Sequence, residues 1–111
     1  YFAAVEDLQS QIEQILDSGI KVLILRFRRT HLLASTGVMA MDRLLKKAQD
    51  RNMTILFCGL HEEVMEPLEG AGITEKIGKS NIFLADKKLF GSTERALTRA
   101  KAILGKNSSD Q

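Results

Sequence analysis

Residues 21–44 read KVLILRFRRTHLLASTGVMAMDRL, and the fold turns on how this stretch is understood. Its first part is apolar almost without a break, from Val22 to Leu25. A strand that keeps one wet face alternates apolar and polar residues; an unbroken run marks a strand covered on both faces, as in a parallel sheet. Beyond the triplet Ser35-Thr36-Gly37 the period changes. Val38, Met41, Leu44, Leu45 and Ala48 recur at steps of three and four, with Asp42, Arg43, Lys46, Lys47 and Asp50 on the other side. That is an amphipathic helix, expected to end near Arg51-Asn52. A buried strand that hands over to a helix, with no hairpin turn between them, is half of a βαβ unit.

The same grammar extends in both directions. Upstream, Val5, Leu8, Ile12, Ile15 and Leu16 keep helical spacing, which predicts a helix over 3–17 closed by Ser18-Gly19. Downstream, MTILFC at 53–58 is a second buried strand, expected to stop at Gly59. A third helix lies within 62–70. Pro67 either falls in its first turn or kinks it, because a mid-helix proline loses a hydrogen bond and clashes with the preceding turn. IFLA at 82–85 is a short strand, and 92–104 is a last helix with Leu97, Ala100, Ile103 and Leu104 on one stripe. Helix and strand alternate throughout, so the fold class is α/β with a central, mostly parallel sheet and about four helices. The opening aromatics Tyr1 and Phe2 read as the end of a buried strand, so N-terminal context is expected to be missing. One domain is expected over 1–105, with 106–111 a flexible tail.

Composition sets the class. The 111 residues suit one domain, and 44% hydrophobic with 27% charged residues is usual for a soluble globular chain. A formal net charge of +2, from 16 basic and 14 acidic residues, is too balanced for a polybasic nucleic-acid surface. No nucleic-acid partner is therefore expected. No apolar run approaches the ~20 residues of a membrane-spanning helix. The single cysteine, Cys58, cannot make an internal disulfide, which points to a reducing compartment.

Several short motifs fail on their context. Gly78-Lys79-Ser80 resembles the end of a phosphate-binding P-loop, but Ile73 stands where the first glycine belongs, and a strand rather than a helix follows. Cys58 and His61 are spaced like half a metal site, with only His31 left to add; a zinc site needs three or four ligands. No metal or other cofactor is expected. Ser35 lacks the G-x-S-x-G frame of a hydrolase nucleophile, since Leu33 and Gly37 flank it. No catalytic residue is assigned, and the chain is not expected to be an enzyme. Glu62, Glu63, Glu66 and Glu69 form a solvated helix face.

Two features remain as candidate sites. Arg26, Arg28 and Arg29 leave the second strand as a basic patch suited to an acidic partner or lipid headgroups. Ser35, Thr36 and Gly37 stand at a helix start. They could supply an N-cap worth ~1 kcal/mol, a seat for an anion at the helix N-terminus, or a phosphoacceptor whose phosphate rewires a docking surface.

The order of these phrases resembles a known family. A buried strand VLIL, the loop Ala34-Ser35-Thr36-Gly37, the helix MDRLLKKA, the strand ILFCG and the closing Leu68-Glu69-Gly70-Ala71-Gly72 look like a STAS domain. This module is shared by sulfate transporters and anti-sigma-factor antagonists. The resemblance covers the chain to about residue 104. YFAAVEDLQSQIEQIL, the exit Arg26-Phe27-Arg28-Arg29, the phrase Gly78-Lys79-Ser80-Asn81-Ile82-Phe83 and ERALTRA are most similar to the C-terminal domain of SulP-type permeases.

The resemblance implies a STAS fold whose N-terminal strand or strands are truncated. It implies a non-catalytic regulatory module on the cytoplasmic side of the inner membrane, docked to a transporter's membrane domain, to a dimer mate or to a cytosolic protein. A weakly held anion or nucleotide is a further partner that it admits. A stand-alone anti-sigma-factor antagonist controlled by phosphorylation is the alternative. By alignment to the glycine, Thr36 takes the phosphoacceptor's place. Ala34 departs from the pattern, because the family often has an aspartate there.

Overall fold

A computed structural model describes residues 1–88 and 90–109 of the chain. Its strands are β1 (Phe2–Ala4), β2 (Val22–Arg26), β3 (Thr54–Leu60) and β4 (Ile82–Leu84). Its helices are α1 (Leu8–Asp17), α2 (Ser35–Asp50), α3 (Glu62–Gly70), α4 (Ile73–Ile77) and α5 (Gly91–Ser109). The four strands form one sheet in the order β1-β2-β3-β4, and every neighbouring pair is parallel. No helix among the described residues is long and apolar enough to cross a membrane.

The unbroken apolar run in β2 is explained by two cores, one on each side of the sheet. Leu23, Leu25 and Phe27 project with Ile55 and Phe57 into the layer built from α1, α2, α3 and α4. The alternate residues Val22 and Ile24 project with Leu56 and Cys58 toward Ala96 and Ala100 of α5. Successive strand residues point to opposite faces, so a strand sandwiched between helix layers must be apolar at every position. Phe27, just past β2, and Phe57 of β3 meet with ring centroids 4.9 Å apart. That tilted geometry suits the ring quadrupoles better than a face-to-face stack.

The structure corrects several boundaries. The helix predicted from residue 3 starts at Leu8, because Phe2–Ala4 pairs with β2 and Val5–Asp7 forms a 3-10 turn. Tyr1 and Phe2 remain largely exposed on this outer strand. β3 does not stop at Gly59 but runs through it to Leu60. Gly59 has φ +71 at a register shift against β4, and a Cβ there would stand 3.2 Å from the backbone nitrogen of Arg28. Glycine permits both the left-handed turn and the close approach.

Pro67 sits inside α3, not in its first turn, since the helix begins at Glu62. The short helix α4 has no counterpart in the sequence reading. It follows Gly72, whose φ of +75 reverses the chain after α3. Ile73 and Ile77, one helical turn apart, anchor it in the core. Helix α5 extends through Ser109, past the expected end near residue 104. The last two residues of the expected tail, 110 and 111, lie outside the described residues. The buried stripe of α5 is half as predicted: Ala100 and Ile103 pack on the sheet with Ala96, and Ser92 is buried one turn earlier, while Leu97 and Leu104 are 37% and 42% exposed.

Candidate functional site

The loop after β2 carries both candidate features. Phe27 N–H donates to the Cys58 carbonyl at 2.9 Å, which keeps the chain on the sheet for one residue beyond β2. It then turns through Thr30, whose N–H donates to the Phe27 carbonyl. The Thr30 hydroxyl reaches Glu6 at 3.3 Å. Two histidines that sequence spacing gives no reason to pair come together here. His31 and His61 stack with centroids 3.9 Å apart and planes 15° off parallel. His61 Nε2 lies 2.7 Å from the Arg28 carbonyl, and a carbonyl only accepts, so His61 carries its proton on Nε2. His31 Nδ1 lies 3.6 Å from a Glu63 carboxylate oxygen. The loop is thus pinned to the turn between β3 and α3.

At the start of α2 the structure corrects the cap reading. The extended residue before the helix is Ala34, with φ −72 and ψ 159, and no side chain caps the helix. Ser35 and Thr36 already occupy its first two helical positions. A hydroxyl there stands beside the free N–H groups, whereas a capping oxygen must come from the residue in front. Both side chains are exposed. Gly37 has a packing role, since a Cβ there would meet Leu33 Cδ1 at 3.1 Å. Two large apolar side chains that flank the hydroxyls in sequence are left in water: Leu32 is 88% exposed and Met39 61% exposed. Met39 lies one turn beyond Ser35 and shares its face of the helix. Sequence reading passed over Leu32 and Met39. The available signal was the pair Leu32-Leu33 in a polar loop, of which only Leu33 packs against the core.

The three arginines lie on the other side of the loop. Arg26, Arg28 and Arg29 line a hollow of about 700 Å³ with Ala4, Glu6, Asp7 and Phe90, so the patch is basic with an acidic rim. The Arg28 guanidinium lies 5.4 Å from the centre of the Phe90 ring. The hollows that the arginines line do not include Ser35, Thr36 or Gly37, and no hydrogen bond or ion pair among the described residues joins the two groups.

The remaining candidates fall into structural roles. Cys58 is buried, and its sulfur lies 3.8 Å from the Thr93 hydroxyl. Burial raises its pKa, against smaller downward pulls from Thr93 and Arg26, so the thiol stays neutral. Lys79 to Asn81 form a 3-10 turn leading into β4. Asp42 of α2 is held by Lys76 of α4 and by Lys46, whose hydrogen bonds lower its pKa. Among the described residues no group of three or more His, Cys, Asp or Glu side chains is placed to hold a metal ion.

Comparison with known proteins agrees with this architecture. The family model described as "STAS domain" matches residues 1–95. YvdB, a Bacillus subtilis protein assigned as a sulfate transporter, is 23% identical over 83 residues, covering 75% of this chain and 16% of its own length. The human protein Testis anion transporter 1 is 23% identical over 96 residues, covering 78% of this chain and 10% of its own length. The chain therefore corresponds to a small part of each relative. In fold, it superposes on a crystal structure of a sulfate transporter family protein from Wolinella succinogenes with a TM-score of 0.77 at 21% identity. That match covers 94% of this chain and 86% of the other. A SulP transporter STAS domain from Vibrio cholerae gives a TM-score of 0.71 at 23% identity, covering 91% and 83%.

Proposed function

Because this chain belongs to the STAS domain family, we propose that it is the cytoplasmic regulatory module of a SulP-type anion transporter. It acts by protein contact and carries no catalytic step. Its contact surface is the junction of the β2–α2 loop with the first turns of α2, and its first partner is the membrane domain of the same transporter.

The observation that carries this reading is the exposure of Leu32 and Met39 on either side of Ser35 and Thr36. An apolar side chain left 88% in water at a loop tip adds nothing to the fold, yet its burial against a partner would be favourable. The hydroxyls between the two apolar residues supply the polar component usual in such contacts. Membership of a family found in transporters supports the choice of partner.

The test uses the full-length transporter with Leu32→Asp and Met39→Asp, each checked for an unchanged melting temperature in the isolated chain. Loss of cross-linking between this domain and the membrane domain, with altered transport, is the expected result. Wild-type cross-linking and transport in both variants would remove the assignment.

A second reading uses the same surface as a switch, as in a phosphorylated anti-sigma-factor antagonist. Thr36 is exposed at the second position of α2, where a phosphate would add about −1.5 to −2 charges next to the helix N-terminus. Thr36→Glu should then weaken docking while Thr36→Ala preserves it. Equal docking by the two variants would rule the switch out.

A further inference from the structure

In a parallel sheet every strand delivers its carboxyl end to the same edge. In this chain β2 ends at Arg26, β3 turns at Gly59, and α5 starts above them at Gly91. Between them lies a cavity of about 280 Å³, lined by Arg26, Arg28, Gly59, Lys87, Ser92 and Thr93 among others.

Ser92 is the observation that asks for an occupant. It is 6% exposed and is the one buried polar residue among those described. Its hydroxyl has no hydrogen-bond partner among the described residues. No side-chain nitrogen or oxygen among them is both sealed from solvent and unpartnered, so this hydroxyl keeps its opening to the cavity that Ser92 lines. A hydroxyl at a cavity wall with no protein partner is left free to bond a ligand or water.

The surrounding groups are donors. The N–H groups of Ser92 and Thr93 lie in the first turn of α5, where the helix offers no acceptor and carries partial positive charge. Arg26 is half-buried and forms no ion pair, and Lys87 forms none either, among the described residues. The acidic groups nearby are already engaged. Asp86 takes the Arg95 guanidinium, and Glu94 takes Lys88 at 3.5 Å. Glu6 and Asp7 lie beyond the arginines in the adjoining hollow and form no ion pair with them. Phe90 walls the cavity from the residue before the helix, in a left-handed conformation with φ +66 that a bulky side chain rarely adopts. The neutral thiol of Cys58 lines the same cavity and brings no charge.

We propose that this cleft binds a small tetrahedral oxyanion, held by the Arg26 guanidinium, the Ser92 hydroxyl and the first-turn N–H groups of α5. Every free group offered to the ligand is a donor, and guanidinium with N–H and O–H is the donor set for sulfate or phosphate. A cavity of about 280 Å³ lies below the usual size of a small-molecule pocket, which favours a free inorganic ion over a nucleotide. The site is separate from the Leu32–Met39 surface and stands or falls independently of it.

The test is an NMR titration of this chain, following backbone amides, with sodium sulfate, sodium phosphate, AMP and, at matched ionic strength, sodium chloride. Saturable shifts of the Ser92 and Thr93 amides are expected with sulfate or phosphate and not with chloride. Affinity should fall at least tenfold in Arg26→Gln. It should fall as much in Ser92→Asp, where a carboxylate takes the ion's place, and stay unchanged in Thr36→Glu. If Arg26→Gln loses its native amide dispersion, Ser92→Asp decides alone. Shifts that do not saturate, or that persist in Ser92→Asp, would overturn the site. AMP binding more than tenfold tighter than phosphate at the same amides would overturn the free-ion assignment.

Discussion

Ala34 shows how one side chain separates a helix start from a capped helix start. It holds the extended conformation of an N-cap residue, and its carbonyl accepts from Val38 N–H, but it has no side-chain oxygen to offer the free N–H groups of α2. Ala34→Asp should therefore stabilise the chain by about 0.5–2 kcal/mol, read as a higher urea midpoint with an unchanged slope. Thr36→Ala should stay within about 0.5 kcal/mol of wild type, since its hydroxyl is exposed and caps nothing. Asp42 carries a different consequence. Its hydrogen bonds to Lys76 and Lys46 depress its pKa below the ordinary 3.8. A carboxylate with a depressed folded pKa adds stability that is complete above the ordinary value and is lost as pH falls below it. Asp42→Asn should lower the melting temperature near pH 7, and the difference from wild type should shrink as pH drops below 3.8. A constant difference across that range would mean that the residue acts by packing alone.

At the scale of elements, α5 is the instructive case. Apolar spacing predicts a stripe through Leu97, Ala100, Ile103 and Leu104; Ala100 and Ile103 do pack on the sheet, but the stripe continues through Ala96 and Ser92, while Leu97 and Leu104 stand 37% and 42% exposed. Small residues let the helix backbone lie close to the sheet over Val22, Ile24 and Leu56. The larger leucines fall to the sides. Ala96→Leu should thus cost about 1–3 kcal/mol by overpacking, and Leu97→Ala should cost less than about 1 kcal/mol. Chemical denaturation measures both, and the reverse order would restore the leucine stripe. Spacing alone misled because leucine at a margin and alanine at a centre have the same period, and only the neighbouring surface tells them apart. Gly59 shows the same limit: glycine normally ends a strand, but here it allows a bulge where the Arg28 backbone passes close by, and β3 continues.

At the scale of the whole molecule, the two apolar clusters are joined through single strands. Ile24 and Leu25 are adjacent in β2 and serve opposite cores. Neither layer can unfold without exposing residues whose neighbours hold the other. Ile24→Ala and Leu25→Ala should each cost about 2–5 kcal/mol, and both variants should unfold in one transition with the wild-type slope. A separate early transition in Ile24→Ala would show that α5 and its layer are an independent unit. The two candidate surfaces also belong to this scale. One is an apolar rim at the α2 start and the other a donor-lined cleft under α5, and both form at the ends of strands that the paired cores hold in place.

The sequence by itself determined the α/β alternation, the parallel sheet and the family, because these rest on periodicity and on the order of short phrases. The run VLIL announced a strand covered twice, and Ala34-Ser35-Thr36-Gly37 marked the loop by which the domain is recognised. Tertiary structure alone decided the rest. The stacking of His31 on His61 joins residues far apart in sequence. Which residue stands in the cap position depends on the ψ of Ala34. The isolation of the Ser92 hydroxyl depends on a helix laid across strands that the sequence places far upstream. Period and propensity are local quantities, whereas a contact, a cap or an unpartnered donor exists only once distant segments share one space.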